Sequence, residues 1–218
     1  MAAPLAGRRV LLLVGGGIAA YKALELVREI RRAGGSVTPV LTKAGAEFVT
    51  PLSLAALAEE QVHGELFDLT AESEMGHIRL SRAADLLLVC PATADLMAKM
   101  AAGLADDLAS TLLLATDKPV LVAPAMNVRM WQHAATVANV ATLRARGVAV
   151  LAPDSGEMAC GEFGPGRLPE VGRILAAVIE QLGAGLSADL ISAPLSGRHV
   201  LVTAGPTYEP IDPVRFLG

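Results

Sequence analysis

The residue types that carry chemistry gather in a few short segments of this sequence. Cys160 lies in Ser155-Gly156-Glu157-Met158-Ala159-Cys160-Gly161-Glu162-Phe163-Gly164-Pro165-Gly166-Arg167, where four glycines and a proline surround one thiol. Glycine hinges allow such a segment to close over a site as a lid, and a thiol there can deliver a proton once water is excluded. The same residues also read as a flexible surface loop with an incidental cysteine. Cys90 ends an apolar run and reads as packing. Among four histidines, His77 in Glu74-Met75-Gly76-His77-Ile78 is the candidate for proton transfer, its alternatives being an exposed residue or a helix cap. His63, His133 and His199 read as structural or surface residues. No H-E-x-x-H or C-x-x-C spacing is present, so no metal site is expected. Asn127, in Pro124-Ala125-Met126-Asn127, has an amide able to donate to a carboxylate and accept from an amide.

A second group of residues suits an anion. Gly15-Gly16-Gly17-Ile18-Ala19-Ala20 falls between an apolar run and a helical pattern, where backbone N–H groups can approach an anionic ligand, or where the chain simply turns. The dinucleotide fingerprint expects a carboxylate about 20 positions on. Here that place holds Thr42-Lys43, whose hydroxyl and cationic groups suit a phosphate, so a mononucleotide is preferred over NAD. Cys90-Pro91-Ala92-Thr93-Ala94-Asp95 brings further small and hydroxyl residues. Thr93 is either a ligand contact or an ordinary N-cap, with Asp95 at the positive helix end.

These segments must be positioned by something, and the apolar runs indicate what. Hydrophobic residues make up 53% of the 218 and charged ones 18%, enough for a large core and too apolar for disorder. Runs at Val10 to Val14, Val37 to Leu41, Leu86 to Cys90, Val120 to Ala123 and Val148 to Leu151 predict strands. Helical periodicity covers Ala19 to Ala33, Pro51 to Glu60, Ala94 to Ala102, Asp107 to Ala115, Met130 to Arg146 and Pro169 to Leu182. The alternation predicts an α/β fold, a doubly wound parallel sheet of the Rossmann-like kind, with the candidate residues on its carboxyl edge. A net charge of −4 argues against a nucleic-acid partner. No apolar run reaches the roughly 18 residues of a membrane span. Two cysteines and no export signal make a reducing cytoplasm the expected compartment. Residues 1–183 read as one domain, 184–196 as a linker, and 197–218 as the truncated start of a second α/β domain, because Gly197 to Val202 echoes Gly7 to Leu12.

Taken together, GGGIAAYK (Gly15 to Lys22), His77-Ile78, PATAD (Pro91 to Asp95), PAMNVRMW (Pro124 to Trp131) and ACGEFGPGR (Ala159 to Arg167) resemble the flavin-containing cysteine decarboxylases. The similarity is to the decarboxylase half of the bacterial bifunctional phosphopantothenoylcysteine decarboxylase and phosphopantothenate-cysteine ligases of coenzyme A biosynthesis. VTAGPTYEPIDPVRFLG (Val202 to Gly218) is similar to the opening of their ligase half. The resemblance implies FMN held around Gly16, Gly17, Ile18, Thr42, Phe48, Thr93, Ala94 and Asp95. It implies His77 as base or orienting group, Asn127 on the substrate carboxylate and amide, Met130 and Ala159 lining the substrate site, and Cys160 as proton donor. It also implies a homo-oligomer, a trimer or a dodecamer of trimers, with sites shared between subunits. The reaction implied is oxidation of the substrate thiol to a thioaldehyde, loss of CO2 and re-reduction to phosphopantetheine. The nucleotide triphosphate, CTP, and Mg of the ligase reaction are not expected to bind here. Asp95 stands where many relatives carry Asn. A flavin prenyltransferase and a non-enzymatic flavin-binding regulatory subunit are the competing readings.

Overall fold

The computed structural model describes residues 3–64, 76–158, 161–191, 209–210 and 216–217, with backbone alone for 184–191, 209–210 and 216–217. Strands β1 (Arg9–Val14), β2 (Ser36–Leu41), β3 (Leu86–Ala92), β4 (Val120–Pro124) and β5 (Ala149–Val150) form a parallel sheet in the order β2-β1-β3-β4-β5. The doubly wound sheet expected from the sequence is present. Its cause is visible along β1, where Val10, Leu12 and Val14 join one core while Leu11 and Leu13 join the other. A strand apolar on both faces needs helices on both.

The first face is covered by α1 (Lys22–Arg32), α2 (Pro51–Ala58) and α8 (Val171–Ile191), which contribute Leu26, Ile30, Leu54, Ile174 and Val178. The second is covered by α3 (Gly76–Ala83), α4 (Ala94–Ala102), α5 (Leu108–Ala115) and α7 (Ala134–Ala145), through Leu80, Met97, Leu112 and Leu143. Leu12 is fully buried, so truncating it to alanine costs about 2–5 kcal/mol. This core fixes the strand ends, and with them the loops that carry chemistry.

Several local expectations need correction. The helix predicted over Met130 to Arg146 is two helices, α6 (Val128–Gln132) and α7, separated by His133 at φ −63° and ψ 137°. His133 Nδ1 accepts from the Ala135 N–H at 3.2 Å, so the residue serves as an N-cap. The start of the helix predicted from Ala19 is a 3-10 turn over Ile18–Tyr21. Helix α8 does not stop near Gly183 but runs to Ile191, so 184–191 of the stretch read as a linker are helical. Gly183 and Gly185 cost the helix about 1 kcal/mol each, which strong helix formers such as Leu182, Ala184 and Leu186 oppose. The glycine-rich segment read as a loop is an antiparallel hairpin of β6 (Asp154–Glu157) and β7 (Phe163–Arg167).

The chain divides into two compact units, Met1–Ala184 and Gly185–Gly218. Within the second, β8 (Glu209–Pro210) pairs antiparallel with β9 (Phe216–Leu217). The strand predicted at Gly197 to Val202 lies outside the described residues. Among the described residues, no helix is long and apolar enough to cross a membrane.

Candidate active site at the sheet edge

From β1 the chain moves outward to β2, then returns to the other side of β1 as β3. The strand order therefore reverses between β1 and β3, and doubly wound sheets bind ligands in the crevice outside the carboxyl ends at such a point. Two clefts open there and share Gly16. The first, about 490 Å³, has Gly16, Gly17 and Ile18 on one side and Met126, Asn127, Met158 and Gly166 on another. The second, about 610 Å³, lies between Gly15, Gly16, Thr42 and Lys43 and the start of α4 at Thr93 and Asp95. Both volumes fall in the range of ordinary ligand sites.

The glycine turn is built for close approach. The Gly15 N–H donates to the Pro91 carbonyl at 3.1 Å, tying the ends of β1 and β3 together, and a Cβ on Gly15 would collide with that oxygen. A Cβ on Gly16 would lie 2.7 Å from the Ala44 Cβ. Gly17 has φ +133° and ψ 158°, a region open essentially to glycine alone. The N–H groups of Gly16 and Gly17 have no hydrogen-bond partner among the described residues. Half-buried donors without partners at a turn preceding a helix are what an anionic ligand satisfies. With Lys43 beside them, these residues fit the phosphate and polar chain of a mononucleotide.

Hydroxyl groups at the second cleft do structural work first. Thr42 Oγ1 donates to the Val14 carbonyl at 2.9 Å and accepts from the Gly45 N–H at 3.0 Å. Thr93 Oγ1 accepts from the Leu96 N–H at 3.2 Å and so caps α4. Asp95 is 3.7 Å from the Lys99 ammonium, which also contacts Asp106 at 3.0 Å and Asp107 at 3.1 Å. Hydrogen bonds to Asp106 and then Asp107 hold Lys99 above the ordinary lysine range. Burial pushes the Asp107 carboxyl up, but hydrogen bonds from Ser110 and the charge of Lys99 bring it below its usual value. Asp95 thus shares one ammonium with two nearer carboxylates, and the cluster keeps a net negative charge beside the cleft.

In the first cleft, Asn127 Oδ1 accepts from the Arg129 N–H at 2.7 Å as the N-cap of α6. That bond turns its Nδ2 toward the Glu162 carboxylate, to which it donates. The Met126 N–H donates to the Gly166 carbonyl at 2.9 Å, stitching this loop to β7. Lys22 also lines the cleft, with its Nζ 3.2 Å from each Glu170 carboxylate oxygen. Burial pushes the Cys90 thiol up to about 12 despite the opposing charge of Lys22. Cys90 is a packing residue, as its place at the end of an apolar run suggests.

Of the residues singled out by sequence, Gly16, Gly17, Ile18 and Asn127 meet in the first cleft, and Gly16, Thr42, Thr93 and Asp95 in the second. His77, on the first turn of α3, lines neither, nor do Phe48, Ala94 and Met130. Phe48 and Met130 are each 48% exposed. Ala159 and Cys160 lie outside the described residues. Sequence reasoning missed Lys22, Met126, Lys99 and Glu162. Lys22 was open to discovery, because it falls one helical turn after Ile18; Glu162 meets Asn127 across 35 positions and gave no local signal.

Fold and clefts together define a nucleotide-binding α/β protein with its site at a sheet switch point. Residues 2–183 match the Flavoprotein family model, and residues 195–218 match the DNA/pantothenate metabolism flavoprotein C-terminal domain. The chain belongs to the flavoprotein family. It is 49% identical over 213 residues to the coenzyme A biosynthesis bifunctional protein CoaBC of Vibrio vulnificus (strain YJ016), covering 98% of this chain and 51% of that protein. The chain therefore spans about half the length of the curated relatives it matches. Among solved structures, a cysteine-to-serine mutant of a PPC decarboxylase complexed with pantothenoylaminoethenethiol has a TM-score of 0.72 and 31% identity, covering 78% of this chain and 96% of that one. The FMN binding protein AtHal3 has a TM-score of 0.69 and 32% identity, covering 78% and 94%. The resemblance read from the sequence motifs is borne out by these matches.

Proposed function

We propose that this chain catalyses the FMN-dependent decarboxylation of phosphopantothenoylcysteine to phosphopantetheine and CO2, a step of coenzyme A biosynthesis, in the cytoplasm. The observation that carries this reading is the first cleft, where the Asn127 amide and the Gly16-Gly17 turn face one space at the β1/β3 switch point. The similar PPC decarboxylase and FMN binding protein support it.

A cysteine carboxylate has no adjacent carbonyl to take the electrons released as CO2 leaves, and bound FMN supplies a reversible two-electron acceptor to create an equivalent sink. Gly16, Gly17, Ile18, Thr42, Thr93 and Asp95 hold the cofactor, with Phe48 and Ala94, which line neither cleft, as further contacts. Asn127 takes the substrate carboxylate and fixes the scissile bond. The α6 cap restricts its amide to one orientation, so the Asn127 side chain itself need not turn on binding. Cys160 gives the proton that completes phosphopantetheine, and His77 and Met130 act on a substrate held by a neighbouring copy. A trimer, or a dodecamer of trimers, brings those residues to a site that they do not line within one chain. Ile18, Tyr21 and Phe163, exposed by 66%, 57% and 79%, suit burial in such contacts. Residues 1–183 form the decarboxylase domain, 184–196 connect it, and 197–218 begin a ligase domain whose CTP and Mg chemistry is not assigned here.

The test is CO2 release from carboxyl-labelled phosphopantothenoylcysteine by FMN-loaded protein. Labelled CO2 matching phosphopantetheine formed is expected, with no consumption of dimethylallyl phosphate. Protein that holds FMN yet releases no CO2 would refute the assignment.

A further inference from the structure

Glu162 stands on the β6–β7 hairpin, between the Met158 turn and β7, and its carboxylate reaches across to Asn127. One Glu162 oxygen accepts from Asn127 Nδ2, while the other lies 3.6 Å from Arg129 Nε. The hairpin places it there with backbone bonds of its own: the Met158 N–H donates to the Glu162 carbonyl and the Gly161 N–H to the Met158 carbonyl, both at 2.8 Å. The Asn127 side chain cannot turn away, because its Oδ1 accepts the Arg129 N–H at the start of α6. Its donor end is therefore offered to Glu162, in the cleft where the functional reading puts a substrate carboxylate.

Resting on that reading, we infer that Glu162 is an internal competitor for the carboxylate subsite. It is an acidic side chain of the chain itself that occupies the Asn127 amide and the neighbouring Arg129 charge until an anionic ligand displaces it. Two carboxylates at one amide repel each other, and one guanidinium cannot neutralise both. Glu162 thus lowers the affinity of carboxylate ligands selectively and leaves ligands without that group unaffected. A residue that only braced Asn127 would have the opposite effect, since its removal would loosen the amide and weaken the same ligands.

The experiment compares two unreactive probes on FMN-loaded protein by calorimetric titration. One is phosphopantothenoylserine, which keeps the carboxylate and replaces the thiol by a hydroxyl; the other is the same compound without its carboxyl group. In Glu162→Ala the carboxylate probe should bind at least about tenfold tighter, the worth of one hydrogen bond to a charged group. The decarboxy probe should change less than about twofold. Glu162→Gln, which keeps the hairpin side chain and removes its charge, should show a gain of the same sign and guards against misfolding of the alanine variant. Weaker binding of the carboxylate probe, or equal tightening of both probes, overturns the inference while leaving the functional reading intact. If the wild-type protein binds neither probe and releases no CO2 from phosphopantothenoylcysteine, the functional reading falls and takes this inference with it.

Discussion

Adjacent glycines at the turn after β1 should fail for different physical reasons when each is changed to alanine. At Gly16 the new methyl carbon would lie 2.7 Å from the Ala44 Cβ and 3.1 Å from the Ala44 carbonyl carbon and oxygen. Carbon atoms rest at about 3.5–4.0 Å, so the turn or the Ala44 loop must move by about 1 Å, at an overpacking cost of about 1–3 kcal/mol. At Gly17 nothing lies within 4 Å, but φ is +133°, and holding an alanine there costs about 1–3 kcal/mol of backbone strain. If FMN binds only the native turn, either cost appears as a roughly tenfold to hundredfold rise in its Kd. FMN fluorescence titration of the apo-protein reads the affinity, and thermal melting without FMN reads the fold. Gly16→Ala should lower both Tm and affinity, because its clash is within the protein. Gly17→Ala should relax in the empty protein by turning its peptide, and so lose affinity with a smaller fall in Tm. Unchanged FMN affinity in both variants would refute the assignment of this turn as the cofactor cradle.

Other outcomes follow from charge and burial. With its thiol pushed up to about 12 by burial, Cys90 should resist iodoacetamide in the folded Cys160→Ser variant and react on unfolding in urea; prompt labelling of the native variant would contradict its burial. Burial holds the His63 imidazole below its ordinary value, with Glu60 opposing. The unfolded chain therefore binds the proton first, so stability is unaffected above about pH 6.5 and falls as pH drops through that value. His63→Gln should flatten the acid limb of urea midpoints measured between about pH 7.5 and about pH 5.5, and an unaltered slope would count against it. Lys99→Met removes the charge shared by Asp95, Asp106 and Asp107, so Tm should fall, and adding Asp107→Ala should not restore it because the alanine also removes the side chain that caps α5 at the Ser110 N–H. Full rescue by the double variant would show that repulsion alone mattered.

The strands were legible because each is apolar on both faces, and runs such as Val10 to Val14 admit few other readings. The glycine turn was legible for a related reason, since glycines between a strand and a helix have few roles. What escaped was decided by geometry that local pattern does not encode. His133 has no intrinsic tendency to break a helix, and it caps α7 only because the chain turns there to cover the second face. The strands of the β6–β7 hairpin are made mostly of glycine, proline and charged residues, with Phe163 their one large apolar residue and no alternation to betray them. Thr93 was read as ligand contact or N-cap and Thr42 as a phosphate contact, and both bond the scaffold while lining the cleft. The meeting of Asn127 with Glu162, and of Lys22 with Glu170, joins elements 35 and 148 positions apart.

The account stands on a decarboxylation that uses the flavin without consuming an oxidant. Its most direct test is an oxygen-free reaction of FMN-loaded protein with excess phosphopantothenoylcysteine, measuring CO2, phosphopantetheine and oxidised-flavin absorbance together. Equal amounts of CO2 and phosphopantetheine over many turnovers, with the flavin ending oxidised, is the predicted result. Reaction that stops after a single turnover with reduced flavin, or that proceeds at the same rate without FMN, would contradict it.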